Sequence, residues 1–332
     1  MILSPRARRA AKGYTLVEIM IALALGALLL AGSLEIYSTA RASWADQRLG
    51  AVVVENGRVM SQVLRSSFSG AGYWGCLPDS NDKLYLDITP TADTMHPYLY
   101  ANESTDASGL GISRSVSSDI ITIYSVISAS QATTCAVDPS NAAACPAEIV
   151  LNGGDAADRQ ISFNADGHSF SAGDTVVLSN CSQATAVQVA AVNSATVLTY
   201  EPTSCGTGTP GCTYAPQTSV MKLDVRRFYV ADNGRGGNSF YLQLNSGAEV
   251  ELVEGIENFN MRYGIDAQIE SGGSFASGSD GSVEQYVSRS NVGGNWDKVL
   301  AVKFEYTITS LGNNPVTRDF STVATIRNFR RN

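Results

Sequence analysis

A single apolar stretch constrains this chain more than anything else in it. From Tyr14 to Leu34 the sequence carries one charge, Glu18. At about 1.5 Å per residue the stretch makes a helix of roughly 31 Å, long enough to cross a bilayer core. Residues 1–13 contain Arg6, Arg8, Arg9 and Lys12 and no acid, a distribution that keeps the N-terminus cytoplasmic and sends the rest outward. Glu18 is the anomaly, because a carboxylate inside an apolar run costs about 2.5–3.5 kcal/mol at mid-bilayer. A plain signal anchor accounts for the charge and the length. So does a secretory signal cut near Ala31-Gly32-Ser33. Neither has a use for Glu18.

A third reading uses it. Gly13-Tyr14-Thr15-Leu16-Val17-Glu18 closely resembles the cleavage region of type IV prepilins: a short basic leader ending in glycine, an aromatic residue after it, and a glutamate at the fifth position beyond the cut. The resemblance implies that a prepilin peptidase removes residues 1–13 after Gly13 and methylates the new amine of Tyr14. The physical chemistry agrees. Gly13 has no side chain to hinder close approach of an enzyme, and Glu18 stands about one helical turn from the Tyr14 amine. Between helices packed side by side, Glu18 of one subunit can pair with the amine of its neighbour, compensating a buried charge and setting an axial stagger. Ala22 and Gly26 form a small-xxx-small pair suited to close helix approach, and equally suit an ordinary helix.

The helix is expected to run on to about Phe68, so that residues 14–68 form one rod, membrane-spanning over 14–34 and amphipathic over 35–68. Val52, Val59, Met60 and Val63 make its apolar stripe, with Arg41, Asp46, Arg48, Glu55, Arg58 and Arg65 on other faces. Ser69-Gly70-Ala71-Gly72 ends it. The remainder, 69–332, reads as a β-rich head, since 30 glycines and 14 tyrosines supply turn geometry and pleated-surface packing. Strands are expected at Ile120–Ile127, Glu148–Leu151, Thr175–Leu178, Ala186–Ala191, Val220–Ala231, Ser239–Leu244, Glu249–Val253, Asn258–Tyr263, Val299–Ile308 and Thr322–Ile326. Asp232-Asn233-Gly234 signals a hairpin, Arg235 belongs to that turn, and Ala101–Asp119 and Ser271–Ser282 read as loops. The fold class is therefore α+β, a long N-terminal helix packed on a large antiparallel sheet.

Six cysteines, Cys76, Cys135, Cys145, Cys181, Cys205 and Cys212, all follow the apolar run. None sits in a C-x-x-C pair and the only histidines are His96 and His168, which argues against a zinc site. An even count in an exported body favours disulfides. Closure of short loops favours Cys135 with Cys145 and Cys205 with Cys212, leaving Cys76 and Cys181 as a longer link, out of the 15 pairings that six cysteines allow. No Gly-x-Ser-x-Gly elbow accompanies the histidines, so nothing supports a hydrolase. Asp266, Glu270 and Asp280 flank a glycine-rich loop without calcium-hand spacing, and the reading is of no metal, no cofactor and no enzyme. Net charge is −8 with the leader and −12 without it, since four basic residues and no acid leave with it; such a surface disfavours a broad nucleic-acid-binding face.

Further motifs narrow the resemblance to the PilW type of minor pilin, related to the J-position pseudopilin of type II secretion. Glu55-Asn56-Gly57-Arg58 leading to Ala71-Gly72-Tyr73-Trp74-Gly75-Cys76 is similar to the family's helix-end pattern. Gly173-Asp174-Thr175 to Cys181 followed by Ala186-Val187-Gln188-Val189 is similar to a G-D-x-V segment of the family, and Val253-Glu254-Gly255-Ile256-Glu257-Asn258 to Asp266 followed by Trp296-Asp297-Lys298-Val299 and Ile326-Arg327-Asn328 to its C-terminal signature. Glu35 stands where many major pilins carry a proline, and residues 77–170 and 190–220 show no family pattern. The resemblance implies a structural subunit that passes from the inner membrane to the pilus. Its partners there are other minor pilins, the major pilin, prepilin peptidase and a possible tip adhesin. Its uses would be twitching motility, adhesion or DNA uptake. A secretion pseudopilin, or a membrane-anchored periplasmic binding module, are the alternatives. Only the last of these tolerates loss of Glu18.

Overall fold

In the computed structural model the described residues are 14–75, 77, 84–85, 98–128, 151–153, 160–163, 170–180, 183–194, 197–200, 219–245, 247–266, 281–293, 295–311 and 315–326. One long helix, α1 (Leu16–Ser69), opens the chain. It is followed by β1 (Leu84–Tyr85), β2 (Leu99–Asn102), β3 (Ile120–Ser128), β4 (Leu151–Gly153), β5 (Gln160–Phe163), β6 (Thr175–Asn180), β7 (Gln183–Ser194) and β8 (Val197–Tyr200). Then come β9 (Ser219–Asp232), β10 (Asn238–Leu244), β11 (Glu249–Glu254), β12 (Ile256–Ile265), β13 (Gln285–Val287), a single turn of helix α2 (Arg289–Val292), β14 (Val299–Thr309) and β15 (Thr317–Thr325).

The strands form two sheets. The first eleven make one, with the path β11-β10-β9-β6-β7-β8-β5-β4 and with β3 also on β9 and β2 on β3; the last four make another in the order β13-β12-β14-β15. Pairing is antiparallel apart from the short β1–β7 contact. The body is thus the expected α+β arrangement, divided between two sheets. The division falls at Gly255. That residue has φ +78° and an added Cβ would lie 2.2 Å from the Thr309 carbonyl oxygen, so only glycine fits. Its N–H donates to the Asn238 carbonyl of the large sheet at 3.0 Å, and its own carbonyl accepts from Thr309 N–H of the small sheet at 2.9 Å. One residue hands the chain from one sheet to the other.

The main core lies between the sheets and against the rear of α1. Val53, Met60, Leu64 and Phe68 from the helix meet Phe228, Val230 and Phe240 of the large sheet and Met261, Tyr263, Val302, Phe304, Tyr306 and Ile308 of the small one. Phe68 stacks on Phe228 at 6.4 Å and meets Phe304 edge-on at 5.3 Å, so the last helical turn touches both sheets. Strand β9 is buried on both faces. Phe228 and Val230 point into this core, while Tyr229 and Ala231 are covered by Ala107, Leu110 and Ile112.

That covering corrects the loop reading of Ala101–Asp119. Ala101 and Asn102 pair with Ile121 and Ile120, Ser104–Asp106 form a 3₁₀ turn, and Val116 bridges Ala231. Arg114 then lies over the Tyr241 ring at 4.5 Å and bonds Glu249 at 2.8 Å. The expected strand starting at Thr322 begins at Thr317, and the one starting at Asn258 begins at Ile256. The strands β1, β2, β5, β8 and β13 were not expected. Each has at most four residues, too short for a period-2 pattern to stand out.

Candidate assembly surface

Helix α1 presents two different surfaces along its length. Its rear half buries Val53, Gly57, Met60, Leu64, Ser67 and Phe68, a spacing of three and four residues that lines one face. The expected stripe was one step out of phase: Met60 is correct and Val63 packs at the core's edge, but Val52 and Val59 are 49% and 39% exposed. Phase was set by Gly57, which the stripe omitted because glycine carries no apolar signal. An added Cβ there would lie 2.2 Å from the Phe320 ring. The Gly57 carbonyl accepts from the Tyr306 hydroxyl at 3.2 Å, and Ser61 is within hydrogen-bond distance of both Tyr306 (3.1 Å) and Thr322 (2.6 Å). The helix backbone therefore lies directly on β14 and β15.

The front of the helix, Leu16 to Leu34, packs on none of the described residues. Leu16, Val17, Ile19, Met20, Ile21, Leu23, Leu25, Leu28, Leu29, Leu30 and Leu34 are all exposed, and α1 is long and apolar enough to cross a membrane, with none of its most apolar stretch buried. An added Cβ at Gly26 or Gly32 meets nothing within 4 Å. No contact among the described residues accounts for this surface, and an apolar surface of this length is unfavourable in water.

At its tip sits the pair that the T-x-x-E pattern encodes, a signal the sequence reading did not use. Thr15 Oγ1 accepts from Glu18 N–H at 3.3 Å, while a Glu18 carboxylate oxygen lies 3.5 Å from Thr15 N. This capping box starts the helix at Leu16 and complements its positive end. The bond to the carboxylate is long, and a carboxylate has room for about four hydrogen bonds, so Glu18 keeps capacity for a further partner. Tyr14 is exposed beside it.

The other residues singled out from sequence are scattered or outside the description. Gly13, all six cysteines, His96, His168, Glu270 and Asp280 lie outside the described residues. Asp266 is buried, and its carboxylate accepts from Gly281 N–H at 2.8 Å, holding together the two ends of the segment between them. Among the described residues no three acidic, histidine or cysteine side chains gather at a metal-sized site. Arg235 does belong to the β9–β10 turn, where its N–H donates to Asn233, but its guanidinium also reaches Glu251 and Glu254 on β11 at 2.5 and 2.9 Å.

Comparison with known families falls on the same two parts of the chain. The prokaryotic N-terminal methylation motif matches residues 8–34, and the type IV pilus-assembly protein W family matches residues 227–327. The second match covers the end of β9, β10 and β11, the switch at Gly255 and the whole four-stranded sheet on which α1 rests. No curated protein and no solved structure matches the chain.

Proposed function

Because the chain is a type IV pilus minor pilin of the pilus-assembly W family, anchored in the inner membrane before entering the filament, we propose that it helps prime pilus assembly and occupies the tip. The proposal includes removal of residues 1–13, methylation of the Tyr14 amine, and pairing of Glu18 with the amine of a neighbouring subunit. Its partners in this reading are other minor pilins and the major pilin, met through the front of α1. The observation that carries it is a helix whose rear is fixed to its own head while its front, from Leu16 to Leu34, is exposed, apolar and uncovered by any described residue. The tip position is supported by size. A head running from residue 69 to 332 greatly exceeds the roughly 100 residues of a small domain, and a bulky head suits a place used once better than a repeating shaft.

Glu18→Gln as the only cellular copy tests this. The variant should enter the membrane at least as well, since a charge has left the apolar run, and its head should melt unchanged, yet surface pili should be scarce. Intact mass of the extracted protein should show both forms beginning at N-methylated Tyr14. That control separates failed maturation from failed pairing. Normal numbers of pili from the variant would remove Glu18 from the assembly mechanism.

A further inference from the structure

Beyond the apolar run, α1 carries a second pattern that filament pairing through Glu18 does not use. Tyr37, Arg41, Trp44 and Arg48 are spaced i, i+4, i+7, i+11 and share one helix face. All four are exposed, Trp44 at 74%. Neither arginine has a partner among the described residues. Trp44 stands nine residues before Val53, and nine residues are two and a half turns, so this stripe points away from the face that grips the head. The acids of the same segment lie on the other side. Glu35 is eighteen residues, five turns, from Val53, and Asp46 is about two turns from it. Positive and aromatic groups thus occupy one face, and negative groups the face shared with the head.

We propose that this stripe is a phospholipid-headgroup surface, on which α1 rests while the subunit waits in the inner membrane. The inference rests on the membrane-anchored reading and adds an occupant to a part of the helix that reading leaves bare. Continuity with the spanning segment supports it. With the Tyr14 amine at the inner face, about twenty residues of helix bring the chain to Leu34 at the outer edge of the hydrocarbon. Tyr37, Arg41 and Trp44 then follow within about 15 Å of that edge along the axis, and the helix tilts of up to ~40° seen in membranes lower them toward the headgroups. Tyrosine and tryptophan favour this layer because an apolar ring and a polar edge are both satisfied there. Arginines pair with lipid phosphates, most strongly where the lipids are anionic. A tilt toward the stripe turns the head, on the opposite face, away from the membrane. It also keeps Glu35 and Asp46 off the phosphates.

The three tryptophans make the test specific, because Trp74 and Trp296 are only 1% and 3% exposed. The mature full-length chain is reconstituted into phosphatidylethanolamine vesicles containing phosphatidylglycerol, and separately into phosphatidylcholine vesicles, and flotation confirms anchoring. Expected in the anionic vesicles are a blue shift of the exposed-tryptophan emission, severalfold loss of acrylamide quenching, and stronger quenching by lipids labelled near the headgroup than by lipids labelled deep in the chain. Trp44→Phe removes the lipid-sensitive signal. Arg41→Gln with Arg48→Gln reduces the protection in anionic vesicles to the level in phosphatidylcholine. A chain that fails to float denies the anchor itself. One that floats with Trp44 equally open to acrylamide in both lipids overturns the headgroup surface alone. Protection of Trp44 that arises only when a second pilin is co-reconstituted makes this face a subunit contact and also overturns the proposal.

Discussion

The two halves of α1 have the same backbone and opposite dependence on the rest of the chain. From Val53 to Ser69 the helix is amphipathic: Val53, Met60, Leu64 and Phe68 belong to the core shared with both sheets, and Gly57 meets Tyr306 and Phe320 of β14 and β15. From Leu16 to Leu34 no described residue covers it, and apart from Glu18 it is apolar on every side, the signature of a segment solvated by lipid or by other helices. Identical secondary structure therefore says little about what stabilises it. The rear is a piece of the head's core that happens to be helical. The front is a surface that none of the described residues of the chain covers.

The comparison predicts where the head's stability resides. Phe68→Ala removes the ring that touches Phe228 and Phe304 at the meeting of helix and both sheets. A buried aromatic truncated to alanine costs about 3–5 kcal/mol, which for a domain of this size corresponds to a fall in melting temperature of roughly 6–15 °C. Near-ultraviolet circular dichroism of the full chain in detergent measures it. A melting temperature within a degree or two of the parent would mean that the helix rear is an appendage and not core.

Gly57→Ala is a smaller and more pointed test. In a free helix alanine is better than glycine by about 1 kcal/mol. Here the new methyl would overlap the Phe320 ring, which is stacked on Tyr306 at 5.6 Å. Phe320 is only partly buried, so it can swing outward, at the cost of that stack and of the close seat of the helix on β15. Overpacking of this kind costs about 1–3 kcal/mol. The expected net result is a melting temperature lowered by a few degrees, less than for Phe68→Ala. A stabilised variant would show that the helix does not sit as closely on β15 as the geometry has it.

The front of α1 was legible in sequence for a physical reason: in an apolar medium each residue is judged by its own chemistry, so composition alone announces the segment, and a lone Glu18 stands out. The rear was legible in extent and not in phase. Its buried face includes Gly57, seated on Phe320 and Tyr306, and Ser67, which accepts from Arg226 of β9, and no hydrophobic pattern reveals a partner that approaches the backbone. The long strands β9, β10, β12 and β14 were found because their cores alternate or run continuously apolar. The division into two sheets was not found, since it turns on one glycine whose role depends on Thr309, over fifty residues away. Likewise, the cover that Ala107, Leu110 and Ile112 give to Tyr229 and Tyr241 comes from a segment with few apolar residues, which read as a loop.

Gly26→Ala completes the series, because it makes the same chemical change as Gly57→Ala in the other half of the same helix. Apart from its own turn of helix, no described residue lies within 4 Å of the added methyl. Only the intrinsic gain in helix propensity remains, about 1 kcal/mol in a helix interior. That gain is confined to a segment that does not touch the head, and so the head's melting temperature should not move measurably. If it falls as far as it does for Gly57→Ala, the front of α1 is coupled to the head and the division between the halves fails. Surface pili counted in the same strain sharpen the point. A small residue at position 26 allows neighbouring helix backbones to approach, so a drop in pili at an unchanged melting temperature assigns Gly26, with Ala22, to contacts between subunits. Unchanged pili leave it an ordinary helical position, and confine the front's specific contribution to Glu18 and the stripe beyond Leu34.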